Sequence, residues 1–164
     1  MKEIVFLRHG HALGTREARV PSDSLRPLSE RGEADVRAAA ERLKAGGFSP
    51  ALIVASPYRR AATTADIAAG IFPPCQRLAC PALSDGDAEE AIRTVLEAGL
   101  PENAGLLVVG HQPLLGALAG YFCGQDALPL SPAGFARIAC PDGPLSPGPA
   151  NSLKEHYSPP GASF

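Results

Sequence analysis

The sequence predicts an α/β fold, a three-layer sandwich whose mainly parallel central sheet is flanked by helices, formed as a single domain over residues 1–164. Three observations point to it. Short apolar runs at 4–7, 51–55 and 106–109 read as buried strands. Segments of helical periodicity fall between them. No internal repeat, and no Pro/Gly/Ser-rich stretch of linker character, divides the chain. A length of 164 residues is enough to bury a substantial core.

The first run, Ile4-Val5-Phe6-Leu7, is partly β-branched and bounded by polar residues. It delivers Arg8-His9-Gly10 at its C-terminal end, where open α/β sheets bind ligands. Residues 11–28 then form a long polar connection with Gly14, Pro21 and Pro27, and a loop of this length is commonly functional. Its Arg16, Arg19 and Arg26 face either an anion or solvent. Ser29 is an N-cap for a helix with Glu30 and Glu33 in its first turn; Val36, Ala39, Ala40 and Leu43 follow at helical spacing, and Gly46-Gly47 ends it.

After the 51–55 strand, Ser56-Pro57 reads as a cap with proline at the first helical position. The helix it opens carries Arg59 and Arg60 in its first turn and runs to Ala69 or Gly70. A short strand is expected over Gln76–Ala79. Residues 85–98 read as one helix capped by Asp85, with Ala91, Ile92, Val95 and Leu96 inward. The 106–109 strand leads into Gly110-His111-Gln112-Pro113, and Leu114, Leu115, Leu118, Ala119 and Phe122 define a strongly apolar helix. Phe135–Cys140 is expected as an edge strand, and Ser152–Tyr157 as one more strand in a tail rich in proline and glycine.

Composition narrows the function. The chain is 45% hydrophobic and 20% charged with a net charge of −2, so neither nucleic acid nor an anionic membrane is an expected partner. No run approaches the ~20 apolar residues of a membrane span. Glu3 and Arg8 interrupt any signal-peptide core, so a cytoplasmic location is expected. Cys75, Cys80, Cys123 and Cys140 form no CxxC pair and have no histidine at zinc-ligand spacing, which predicts reduced thiols that are buried or half-buried.

Three strand ends therefore carry phosphate-compatible residues: Arg8-His9, Arg60 and His111. Parallel strands put those ends on one edge, and two of the turns open helices whose free N–H groups favour an anion. Arginine offers a planar charged fork, and a neutral imidazole is a nucleophile. The motif lacks the acidic cluster that would hold magnesium and any Walker-type glycine loop, so the expected phosphoryl site needs neither metal nor cofactor.

Arg8-His9-Gly10, the segment Ser56-Pro57-Tyr58-Arg59-Arg60-Ala61 with Thr64, and Gly110-His111 together resemble the histidine phosphatase (phosphoglycerate-mutase-like) superfamily. A lone triplet of this kind would arise by chance in ~1% of chains this long, whereas three motifs in order, each after an expected strand, are far more specific. The short length, the segment Ser22-Asp23-Ser24-Leu25-Arg26-Pro27-Leu28-Ser29, the His111-Gln112-Pro113-Leu114 turn and the closing Asn151-Ser152-Leu153-Lys154 are similar to the small SixA-type phosphohistidine phosphatases.

The resemblance implies His9 as the nucleophile, and Arg8, Arg60 and His111 as ligands of the phosphoryl oxygens, with Arg26 as a further positive contact. Asp23 matches the proton donor suspected in the small type; its competing reading is a loop aspartate bonded to its own backbone. Asp85 is a helix cap first and a catalytic candidate second. Arg59 and His11 are expected on the rim, and His156 as structural or exposed. The substrate implied is a phosphohistidine-bearing protein; the alternatives are a small phosphomonoester of sugar-phosphate type and a non-catalytic phosphate-binding module. A monomer is expected.

Overall fold

The buried runs assemble into one six-stranded sheet in the order β3-β2-β4-β1-β5-β6, in a computed structural model that describes residues 1–162. The strands are β1 (Lys2–Arg8), β2 (Pro50–Ala55), β3 (Gln76–Ala79), β4 (Gly105–Gly110), β5 (Phe135–Cys140) and β6 (Ser152–Tyr157). β1 pairs in parallel with β4, and β2 in parallel with both β3 and β4. β5 runs antiparallel to β1 and to β6, so the sheet is mixed but mainly parallel.

Helices cover both faces. They are α1 (Thr15–Ala18), α2 (Glu30–Ala45), α3 (Arg59–Ile71), α4 (Ala82–Asp85), α5 (Ala88–Leu96) and α6 (Leu114–Cys123). Alternate side chains of each central strand point to opposite faces. Val5, Leu7, Ile53, Ala55, Leu107 and Val109 pack with Ala39, Ala40 and Leu43 of α2 and with Ala61, Ala65 and Ala68 of α3. Ile4, Phe6, Val54, Leu106 and Val108 pack with α5 and α6 through Ala91, Val95, Leu115, Leu118 and Phe122. The layer of α2 and α3 meets the sheet mostly through alanines, and that of α6 through leucines and Phe122. α2 follows β1 on one face and α6 follows its neighbour β4 on the other. The crevice this reversal opens, beyond the C-terminal ends of β1 and β4, is where a doubly wound sheet holds its ligand.

Four local expectations are corrected. β5 is an interior strand, because the tail strand β6 pairs along its outer side and forms the edge. Arg137 of β5 is buried: it binds Glu3 through both carboxylate oxygens and donates to the Gly46 carbonyl at 3.0 Å. Breaking such a buried pair costs about 3–5 kcal/mol, so the charge is tolerated inside only with its partner. α3 begins at Arg59 rather than Pro57, and Tyr58 takes the cap position. The expected 85–98 helix is broken at Gly86, whose φ of +75° closes α4; Asp87, not Asp85, then caps α5 by accepting from the Glu90 N–H at 3.1 Å. Leu96 is 38% exposed rather than inward, because α5 ends there and turns out.

The loop expected over 11–28 contains α1 and a 3₁₀ turn at Asp23–Leu25, and is pinned to the body by a bridge between Ala12 and Leu28. All four cysteines are free, Cys80, Cys123 and Cys140 buried and Cys75 half-buried. No helix among the described residues is long and apolar enough to cross a membrane.

Candidate active site

Arg8 ends β1, His111 follows the end of β4, and Arg60 lies in the first turn of α3 behind β2. The structure brings all three and His9 together. They line an open cavity of about 300 Å³ with His11, Ala12, Arg26, Gln112 and Pro132. The two imidazoles face each other with ring centroids 5.1 Å apart.

His9 is 9% exposed. Its Nδ1–H donates to the Gly10 carbonyl at 2.7 Å, which fixes the tautomer and leaves a lone pair on Nε2. The Gly10 N–H in turn donates to Thr64 Oγ1 at 3.1 Å, and the Thr64 hydroxyl donates to the Arg60 carbonyl at 2.8 Å. The backbone beside His9 is thereby tied to the helix that carries Arg60. Gly10 has no room for a side chain: a Cβ there would lie 2.8 Å from the Gly32 carbonyl oxygen and from Val36 Cγ2. Gly32 is tighter still, with a Cβ placed 2.1 Å from the His11 carbonyl oxygen. This contact of backbone on backbone seats the N-terminus of α2 under the site, where Ser29 Oγ accepts the Gly32 N–H at 3.0 Å. Gly32→Ala is expected to cost about 1–3 kcal/mol, lowering the melting temperature by several degrees in a thermal scan.

Burial depresses the basicity of both rings. His9 is pushed down to about 3, by desolvation first and then by His111, Arg60 and Arg8 nearby. His111 is pushed down to about 4, by desolvation first and then by Arg60, with Asp23 pulling the other way and Arg8 adding a smaller push. Both are therefore neutral at pH 7. In the unfolded chain a histidine takes its proton near 6.5, so the unfolded state binds more protons as the pH falls below that value. Each ring then contributes stability that is complete above about pH 6.5 and declines toward its folded pKa, with a slope approaching ~1.4 kcal/mol per pH unit. An NMR titration of the folded protein should show two histidine rings that do not titrate between pH 5 and 8.

Arg8 is held in place by a loop ahead of β5. Its Nη1 donates to the Leu130 carbonyl at 2.9 Å, and the Ala133 N–H donates to the carbonyls of Arg8 and His9. Arg60 is clamped from the other side: Nη1 donates to the Asp23 carbonyl at 2.8 Å and Nη2 to Asp23 Oδ2 at 3.0 Å. Arg8 Nε, Arg60 Nε and His111 Nδ1 are closed from solvent and have no hydrogen-bond partner among the described residues.

Asp23 sits above Arg60, its side chain 58% exposed, with Oδ1 accepting from Arg26 Nη1 at 3.1 Å. Arg26 and then Arg60 hold its pKa below the usual carboxylate value, so it is an anion at rest. Arg26 lines the cavity while also donating to the Leu13 carbonyl. Asp85 does not line this cavity, and Arg59 is exposed at the rim, donating to the Leu25 carbonyl at 3.3 Å. His11 lines the cavity and bonds Ser29 Oγ at 2.7 Å; His156 is on β6, 2.7 Å from the Pro129 carbonyl. Gln112, Pro132 and Leu130 had not been singled out in the sequence. Gln112 was visible only as a neighbour of His111, and the 130–132 loop carries no motif. Among the described residues no cluster of three or more histidine, cysteine or acidic side chains is placed to hold a metal ion.

Chemically this is a cationic cavity lined by a neutral imidazole with a free lone pair, suited to a tetrahedral oxyanion. Solved structures share the fold. The protein histidine phosphatase SixA complexed with tungstate superposes with a TM-score of 0.76 at 23% identity over 95% of this chain and 96% of that one. A candidate SixA phosphohistidine phosphatase from Nakamurella multipartitia gives 0.77 at 22% identity over 97% and 96%. A mycobacterial glucosyl-3-phosphoglycerate phosphatase gives 0.71 at 20% identity over 94% and 97%. No curated protein matches the sequence. The sequence model of the histidine phosphatase superfamily (branch 1) matches residues 4–88, a span that includes Arg8, His9, Asp23 and Arg60. The chain belongs to the histidine phosphatase superfamily.

Proposed function

We propose that the protein is a phosphatase that takes a phosphoryl group onto His9 and passes it to water, and that the group comes from phosphohistidine on another protein. One observation carries the first part. The His9 Nε2 lone pair shares a cavity with side chains that hold two buried, unpartnered N–H groups, those of Arg8 and Arg60, and an unpartnered ring nitrogen of His111. A buried donor left unpaired costs about 1–3 kcal/mol, and a phosphoryl group supplies the acceptors that these lack.

In the first step Nε2 of His9 attacks phosphorus; the new P–N bond forms as the substrate's P–N bond breaks, and the leaving imidazole takes a proton from solvent. Arg8, Arg60 and His111 hold the non-bridging oxygens, where charge concentrates. In the second step water attacks phosphorus, the bond to Nε2 breaks, and inorganic phosphate leaves. His9 is restored neutral because burial keeps it so.

The substrate reading is supported by the leaving group and by access. Asp23 is ionised at rest and has no proton to give, which matters least for an imidazole, itself able to accept a proton from water. The cavity opens to solvent, so a side chain displayed on a protein surface can reach it. The structural neighbours include enzymes named for phosphohistidine and for a sugar phosphate. The polar walls of His11, Arg26 and Gln112 favour the second of these, a small phosphomonoester.

Turnover of a phosphohistidine-bearing carrier protein, measured beside a panel of small phosphate esters, decides between them. Preference for an ester by orders of magnitude overturns the protein-substrate reading. Phosphate binding with no turnover of either makes the protein a binding module. Asp23→Asn adds a second axis: because Asp23 has no proton to give, turnover of a phosphoramidate and of an alkyl phosphate should both stay within about tenfold of the parent, and a larger loss confined to the alkyl phosphate would make Asp23 the proton donor.

A further inference from the structure

Resting on that reading of the cavity, we infer that Ser56 and Ser84 are positioning residues that set the tautomer of His111, so that its Nδ1 carries the proton and donates to the phosphoryl group. Ser56 is 1% exposed at the end of β2, and its Oγ lies 2.7 Å from His111 Nε2. The same oxygen accepts the Tyr58 N–H at 3.2 Å and bonds Ser84 Oγ from α4.

A serine hydroxyl has one proton and two acceptor sites. Tyr58 occupies one acceptor site. One proton and one acceptor site remain for two partners, so only two arrangements exist. Either Ser84 donates to Ser56 and Ser56 donates to His111 Nε2, or His111 Nε2–H donates to Ser56 and Ser56 donates to Ser84. Ser84 has no other side-chain partner among the described residues, so its hydroxyl is free to donate to Ser56. A phosphoryl oxygen can only accept, so a phosphoryl group at Nδ1 requires the proton there; together these select the first arrangement and leave Nε2 as an acceptor.

The proton then resides on Nδ1, the nitrogen that is buried and unpartnered. In the other arrangement Nδ1 would present a lone pair to an anionic oxygen and repel it. The ring is neutral, with its basicity pushed down by burial, so it has a single proton to place and the serines decide where. Tyr58 packs edge-on to the ring with centroids 5.3 Å apart, which restricts the ring to the orientation the serines require.

The test is a direct reading of the tautomer. In protein labelled with ¹⁵N-histidine, the His111 nitrogens should show Nδ1 protonated and Nε2 bare at pH 7. In Ser56→Ala the two tautomers should become mixed, with kcat reduced about tenfold, a part of the ~10²–10³-fold that removal of a whole transition-state donor costs, and with KM nearly unchanged. Ser84→Ala should give a smaller loss in the same direction, and Ser84→Thr, which keeps the hydroxyl, should restore both readouts. Melting curves check that the variants stay folded, and the spectrum of the parent protein needs no variant. A parent ring protonated at Nε2, or a Ser56→Ala ring unchanged in tautomer and in kcat, overturns the inference. A parent with the expected tautomer but no turnover of any phosphorylated compound instead overturns the phosphatase reading and leaves the tautomer assignment standing.

Discussion

His9→Ala is expected to lower kcat/KM by at least ~10⁴-fold, in the range found when a catalytic nucleophile is removed. The cause is specific. Nε2 is the unprotonated ring nitrogen of His9, and Nδ1 is committed to the Gly10 carbonyl. No neighbouring side chain can substitute, because the His111 ring, 5.1 Å away, is engaged by Ser56 on one side and carries its proton on the other. The phosphoenzyme, trapped by an alkaline denaturing quench because a P–N bond is labile to acid, should vanish in the variant after mixing with a phosphodonor, while phosphate binding through Arg8 and Arg60 persists. An acid-stable or hydroxylamine-sensitive phosphoenzyme that survives in His9→Ala would place the covalent step on another residue.

Arg60→Ala should cost ~10²–10³-fold in kcat, equivalent to about 3–4 kcal/mol of transition-state stabilisation. It should also do two things that loss of a simple phosphate ligand would not. Arg60 is among the groups that depress both histidines, so the NMR titrations of His9 and His111 should each move up toward 6.5 when it is removed. It also anchors the Asp23–Leu25 turn through the Asp23 carbonyl and carboxylate, so protease sensitivity at that turn should rise. Arg60→Lys should recover little of the rate, since one ammonium cannot hold the turn and a phosphoryl oxygen at once as the planar fork does. Unchanged histidine titrations would mean that solvent, rather than Arg60, sets the field in the cavity.

Much of the site was visible in the sequence because three of its members lie where buried apolar strands stop, and such strands are easy to recognise. Arg8, His9 and His111 owe their convergence to strand order, which no local pattern encodes, but parallel strands leave few alternatives. What stayed hidden depended on contacts between distant segments. β5 looked like an edge because nothing local announces that β6 pairs along its outer side, and nothing nearby in sequence announces Glu3 as the partner of Arg137. Ser56 looked like a helix cap, the commonest use of a serine before proline; its bond to His111 spans 55 residues. Ser84 belongs to no motif at all. Asp23 was found by resemblance, but its ion pairs to Arg26 and Arg60, and the ionised state that follows from them, required the geometry.

The two histidines have separate foundations. His9 is braced by the layer of α2 and α3, through Gly32, Val36 and Thr64. His111 is held by Ser56 at the end of β2 and by Tyr58, and behind Ser56 stands Ser84 on α4, in the opposite layer packed with α5 and α6. The sheet lies between them as a partition. Changes in one layer can therefore retune one half of the chemistry while the other keeps its settings. A lineage could alter the α4–α6 side, and with it how strongly the transferring group is held, without disturbing the atom that forms the covalent bond. The same partition gives an engineer two nearly independent dials, one for how fast the group is captured and one for which compounds present it well enough to be captured.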